Sequence, residues 1–374
     1  MKYFISAGEA SGDLHGGPLI EALKECDENA EFVFLGGDCM AKASGHAPLI
    51  HYRDMAFMGF SEVLRHLGKV LGNLKTAREA VARERPDALV LIDYPSFNLK
   101  LAAFAHGLGI PVYYYISPKV WAWKEWRIKD MRRYCRKVLS ILPFEVGYFK
   151  GKGMEVEYVG NPSVEEVDAR EASLPPRGEF LARWNLPADK PLLALVPGSR
   201  VGEIRNNLPV MDAVARRFPQ FTAVIAGAPG IDASIYSGFS SFPVVGNATF
   251  ELLRNSANAL VTSGTATLET ALLGTPQVVC YRSNGSRLSR KVLERFIKCP
   301  FVSLPNLIAG REIVRELLLD RCNEEAVAAE LAAILPGAPC RDEMLRGYAR
   351  MRGILGTSDA ARTAACAILT NLKN

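Results

Sequence analysis

Four short stretches carry residues able to handle a phosphorylated, hydroxyl-rich ligand. SAGEASGDLHGG, Ser6 to Gly17, has glycines that permit close backbone approach, Gly8 and Gly12 among them, with Glu9, Ser11 and Asp13 as polar groups. It lacks the G-x-G-x-x-G spacing of a dinucleotide turn, which weakens a nicotinamide reading. VPGSRVGEIRNN, Val196 to Asn207, offers the free N–H groups of a helix start at Gly198 and Ser199, and Arg200 adds a fork of donors suited to a diphosphate. SGTATLETALLGTP, Ser263 to Pro276, repeats the arrangement with Ser263, Gly264, Thr265 and Ala266. With Thr265 as the cap, Glu269 falls outside a capping box, and its carboxylate can accept hydrogen bonds from the vicinal hydroxyls of a ribose. LVLIDYPSFN sets Asp93 where a buried strand ends, the place for a general base, with Glu9 a further catalytic candidate and Glu9 or Asp13 the other carboxylates open to the base role. Each has a bland counterpart: an ordinary capped turn, a surface ion pair for Arg200, an acid favoured by the helix dipole for Glu269, a turn aspartate for Asp93.

The elements that position these turns alternate along the chain. KYFIS, FVFLG, ALVLID, PVYYYI, KVLSIL and EVEYVG are apolar runs of strand length separated by amphipathic stretches, and PLLALVPGSR, FTAVIAG, ALVTSG and QVVCYR repeat the pattern. Such alternation predicts parallel sheets covered on both faces, in which ligands bind beyond the carboxyl ends of the strands. We expect an α/β chain of two Rossmann-like domains, residues 1–162 and 163–340. NPSVEEVDAREASLPPRGEF reads as the linker, and the helical residues 341–374 are expected to pack back on the first domain.

At 374 residues and 49% hydrophobic, the chain is long enough for two cores, and its net charge of +5 is too small to argue for nucleic acid. Eight cysteines without a C-x-x-C pair read as reduced, mostly buried thiols. No Asp-x-Asp pair occurs, so no metal bridging a diphosphate is indicated, and no cofactor is expected. The N-terminus is not read as a signal peptide and no stretch as a bilayer span.

Two stretches suit a membrane surface. Met55, Phe57, Met58, Phe60, Val63, Leu64 and Leu67 make an apolar series with Arg65 and Lys69 beside it, as in an interfacial helix. Trp121 and Trp123 stand among lysines and arginines in KVWAWKEWRIKDMRRYCRK, as at a headgroup boundary. Core packing is the alternative for the first and stacking on single-stranded nucleic acid for the second.

In this order, SAGEASGDLHG, MGFSEVL, IDYPSFN, SPKVWAWKEWR, VPGSR, SGTATLE and SLPNLIAGREIVRELL resemble the motifs of the lipid-A-disaccharide synthase family along nearly the whole chain. The resemblance implies a GT-B glycosyltransferase, its two parallel sheets facing a central cleft, with UDP in the second domain. It implies transfer of 2,3-diacylglucosamine from UDP to 2,3-diacylglucosamine 1-phosphate, forming a β(1→6) disaccharide. It further implies importance for Asp93 and Arg200, a substrate role for Asn98, and a place for Asn306 near the nucleotide, with a homodimer interface as one route there. A cytoplasmic, peripheral location on the inner membrane follows. VGNP departs from the family in carrying Asn161 where His is expected, so no ring-nitrogen role is carried over. Related peptidoglycan-precursor transferases also show Gly-Asn-Pro here and are the runner-up, beside a UDP-sugar 2-epimerase.

Overall fold

ALVLI, Ala88 to Ile92, is buried at all five positions, as is LLALV, Leu192 to Val196; strands this apolar need cover on both faces. The computed structural model describes residues 1–55, 67–282, 300–357 and 359–373. The chain divides into two units, Met1–Pro162 with Thr357–Asn374, and Ser163–Gly356.

Among the described residues the first unit holds seven parallel strands: β1 (Lys2–Ala7), β2 (Glu31–Gly36), β3 (Ile50–His51), β4 (Ala88–Ile92), β5 (Val112–Tyr115), β6 (Lys137–Ser140) and β7 (Glu157–Tyr158). Their order is β3-β2-β1-β4-β5-β6-β7. The second holds β8 (Leu192–Val196), β9 (Thr222–Gly227), β10 (Val244–Gly246), β11 (Ser256–Thr262), β12 (Gln277–Tyr281) and β13 (Arg315–Leu318), ordered β10-β9-β8-β11-β12-β13 and parallel throughout. Both orders reverse direction beside the first strand of the unit, the arrangement of a Rossmann sheet. The switch points lie between β1 and β4, and between β8 and β11. Ligand chemistry is therefore sought in the turns that leave those four strands.

One side of the first sheet is covered by the helices Ala10–Cys26 and Ala360–Lys373, which pack on each other. Leu19, Ile20, Leu23, Ala364, Ala365 and Ile368 are buried there, each large aliphatic side chain contributing about 1.5–3 kcal/mol. The expectation for 341–374 is corrected in part. The helix Pro339–Leu355 belongs to the second unit, where Gly347 lets it meet Ile313, and Tyr348 donates to the Thr275 carbonyl at 3.3 Å. The stretch read as a linker instead forms the helices Pro162–Glu171 and Arg177–Arg183, in which Val164, Val167 and Phe180 are fully buried. Among the described residues, no helix is long and apolar enough to cross a membrane.

Candidate active site

At the first switch point β4 ends in two consecutive residues with left-handed backbone, Asp93 (φ 42°) and Tyr94 (φ 47°, ψ 54°). Each such conformation costs about 1–2 kcal/mol for an L-residue, so the surroundings must impose it. The Asp93 carbonyl accepts hydrogen bonds from Tyr114 Oη at 2.6 Å and Asn98 Nδ2 at 2.8 Å. The Tyr94 hydroxyl donates to the Met55 carbonyl at 2.8 Å. The Tyr94 ring lies on Gly8: a methyl group there would stand within 2.6 Å of three ring carbons. The Asp93 carboxyl makes no ion pair among the described residues. Burial pushes its pKa up to about 6; Lys119 pulls it down and Glu9 pushes it further up. A carboxyl titrating there is matched to taking a proton near neutral pH.

Asp93 and Glu9 open onto a cavity of about 500 Å³. One part of its wall is apolar, with Val70, Leu71, Leu74, Phe97 and Trp123; another is cationic, with Lys100, Lys119 and Arg127. The loop after β5 that brings in Lys119 and Trp123 is held from behind by Glu145. That fully buried carboxylate accepts from Ser117 Oγ at 2.6 Å, from Trp121 Nε1 at 2.8 Å and from the Ser140 hydroxyl.

Several expected ligand contacts are corrected here. Asp13 is 3% exposed and accepts the N–H groups of Gly37, Cys39 and Met40 at 2.6, 3.0 and 3.1 Å, capping the helix Asp38–Ser44. Charge-assisted bonds of roughly 1.5–3 kcal/mol each commit it to the fold. Asn98 is fully buried; beyond the Asp93 carbonyl it donates to the Ile92 carbonyl and accepts from Ser6 Oγ at 2.7 Å, so it fixes the Asp93 turn rather than meeting ligand. Gly12 packs its helix against Ala7. Ser11 is exposed.

The membrane-facing set divides. Met55 is 1% exposed, a core residue beneath Tyr94, and not an outward one. Phe57, Met58, Phe60, Val63 and Leu64 lie outside the described residues, as does the Leu67 side chain. Trp121 is tied to Glu145 and edge-on to Phe144, whereas Trp123 is 58% exposed beneath the Lys124 ammonium.

At the second switch point Gly198 has φ +122° and packs under Glu203. Glu203 accepts from the Ser199 N–H at 3.1 Å and from Arg200 Nη1 at 3.0 Å. Arg200 is thus an exposed residue already paired, and an anion must win it from Glu203. After β11 the cap is Gly264, not Thr265: the helix is Thr265–Leu272, and Thr267 Oγ1 donates back to the Gly264 carbonyl at 2.7 Å. Gly264 and Thr265 are exposed, and Ser263 Oγ reaches only the Val302 carbonyl at 3.5 Å. Ala266 and Glu269 are half-buried. The Glu269 carboxyl makes no hydrogen bond or ion pair among the described residues, and burial, with Glu166 nearby, pushes its pKa up to about 7. Asn306 is fully buried; it donates to the Val314 carbonyl and Glu316 and accepts from the Ile313 and Val314 N–H groups, so its side chain is spent inside its own unit.

Residues 3–342 match the family model described as lipid-A-disaccharide synthetase. The chain belongs to the lipid-A-disaccharide synthase family. It is 41% identical to the lipid-A-disaccharide synthase of Myxococcus xanthus over 98% of this chain and 97% of that one, and 37% identical to that of Koribacter versatilis over 98% and 96%. Among solved structures, UDP-GlcNAc 2-epimerase from Neisseria meningitidis bound to UDP-GlcNAc matches with a TM-score of 0.68 at 13% identity, covering all of both chains. UDP-GlcNAc 2-epimerase from Methanocaldococcus jannaschii in complex with UDP-GlcNAc and UDP matches at 0.63 and 14%, covering 99% of each. At such identities the structures support the fold of two Rossmann-like units and nothing finer. A lipid-A-disaccharide synthase is a glycosyltransferase, so the epimerase and peptidoglycan-transferase readings give way. The motifs missed as site-building are Tyr94, Lys100, Arg127 and Glu203. Arg127 stood within SPKVWAWKEWR, where its basic and aromatic neighbours pointed outward.

Proposed function

We propose that this chain transfers 2,3-diacylglucosamine from its UDP conjugate to the 6-hydroxyl of 2,3-diacylglucosamine 1-phosphate, with inversion to a β(1→6) bond and release of UDP. The observation that carries this reading is Asp93: a strained, unpaired carboxyl beside a cavity with apolar and cationic walls. The acceptor hydroxyl gives its proton to Asp93 as its oxygen forms the bond to the anomeric carbon. The bond from that carbon to the β-phosphate oxygen breaks, and its electron pair leaves on UDP. In the second unit, the Thr265 amide and the Ser199 amide, once it leaves Glu203, take the diphosphate, Arg200 likewise turns from Glu203 to the leaving oxygen, and Glu269 holds the ribose. The acyl chains account for the apolar wall and for work on the cytoplasmic face of the inner membrane, where such lipids reside.

Mass spectrometry of the purified protein with both acylated sugars and no added metal tests the reaction. A new tetraacyl disaccharide 1-phosphate together with UDP is expected. Free UDP without disaccharide, or an epimerised donor, would overturn the reading.

Glu269 supplies a separate prediction. Ribose hydroxyls donate to the ionised carboxylate, so affinity for a UDP-sugar, whose diphosphate does not titrate near neutrality, is expected to rise as pH increases through about 7. Glu269→Gln should weaken binding about tenfold at pH 8 and flatten the profile, with kcat little changed. Calorimetric titration at pH 6, 7 and 8 measures both; a kcat effect without an affinity effect removes the ribose role.

A further inference from the structure

Arg127 is 6% exposed, yet no carboxylate pairs with it among the described residues. Among the described residues its side chain hydrogen-bonds from Nη2 to Ser96 Oγ at 2.9 Å, and its guanidinium stands 5.7 Å from the centre of the Trp126 ring. A guanidinium has five N–H donors in a fixed fork, and burying one without an anion is costly. The remaining donors lie at the wall of the cavity that holds Asp93. Ser96 is in the first turn of the helix Pro95–Gly107, whose thirteen residues direct their N-terminal dipole to the same place. Lys100 and Lys119 line the cavity too, and neither makes an ion pair among the described residues. Two carboxyls, Asp93 and Glu9, face these three cations in the cavity wall, which leaves a net positive lining.

We infer that Arg127, with Ser96 below it and Lys100 and Lys119 at the rim, binds the phosphomonoester of the acceptor and so selects a phosphorylated acylated sugar. The inference rests on the proposed transfer reaction and adds which residues choose its acceptor. A phosphate held by the fork places the sugar between a cationic anchor and the Asp93 carboxyl, and leaves the acyl chains to the apolar wall. The donor's diphosphate has its own amides in the second unit, so the two phosphate requirements are separable by measurement.

The test compares 2,3-diacylglucosamine 1-phosphate with the methyl α-glycoside of the same diacylglucosamine, at saturating donor. Wild type should prefer the phosphate by about 100-fold or more in kcat/KM. Arg127→Gln should lose about 100-fold on the phosphorylated acceptor and less than about threefold on the glycoside, with donor KM unchanged and Arg127→Lys recovering part of the loss. Equal loss on both acceptors would show a merely structural residue and overturn the inference, as would a wild type indifferent to the phosphate. If Arg127→Gln does not fold, the exposed pair Lys100→Gln and Lys119→Gln decides: a loss confined to the phosphorylated acceptor supports the site, and an equal or absent effect refutes it. No disaccharide from either acceptor with the wild-type protein would sink the transfer reaction itself, and this inference with it.

Discussion

An Asp93→Asn variant is expected to lose about 10³-fold in kcat while its affinity for UDP stays within about twofold of wild type. Asn keeps the size of the side chain and leaves the carbonyl bonds from Asn98 and Tyr114 in place, because those fall on the backbone. Only the proton acceptor is lost. Stability supplies an internal control. In the fold the Asp93 pKa is raised from its ordinary 3.8 to about 6, so the folded state holds its proton more tightly than the unfolded chain does. The wild type is therefore penalised progressively as pH rises from 4 through 6, and the penalty is complete above that window. Asn carries none of it, so the variant should melt a few degrees higher at pH 8 and match wild type near pH 4. Thermal melts at both values with single-turnover kinetics check this. Near-normal turnover, or loss of activity with loss of stability at pH 8, would remove Asp93 from the role of base.

The strand pattern and the four turns were legible because buried parallel strands are apolar at every position and functional turns follow them. Asp13 and Asn98, expected at the substrate, and Asn306, which the resemblance placed near the nucleotide, all have side chains engaged within the fold. A polar residue in a motif looks the same whether its partner is a ligand or a distant group of the chain. The partner of Asp13 is a helix start 24 residues on, at Gly37, and that of Asn98 includes Ser6, 92 positions away. Met55 had the opposite fault, an apolar residue in a basic neighbourhood that is needed beneath Tyr94 instead of at a lipid surface. Arg127 was hidden by its neighbours: Trp126 and Trp123 are indeed exposed, and only the 3-10 turn Glu125–Arg127 directs the arginine inward. The same loop is tied down at Trp121 by Glu145, 24 residues on, and no local pattern encodes that distance.

Gly8 gives the other large effect. Its motif suggests backbone that comes close to ligand, but the residue packed against it is Tyr94, whose ring leaves no room for a methyl group. Gly8→Ala must therefore move the ring, and Tyr94 cannot move alone, because its hydroxyl is bonded to Met55 and its left-handed backbone is continuous with that of Asp93. The carboxyl is displaced with it. A shift on the scale of an ångström at a general base is worth about 10²-fold in rate, so Gly8→Ala should lose about that much in kcat with UDP affinity retained. Tyr94→Ala should cost less, since it removes the ring but leaves the Asn98 and Tyr114 bonds to the Asp93 carbonyl. With the ring gone the methyl at position 8 has space, so the double variant should be no worse than Tyr94→Ala alone, a strongly non-additive cycle. If instead the two losses multiply, Gly8 acts by admitting ligand to its backbone, and the Asp93 turn is held by its hydrogen bonds without help from the ring.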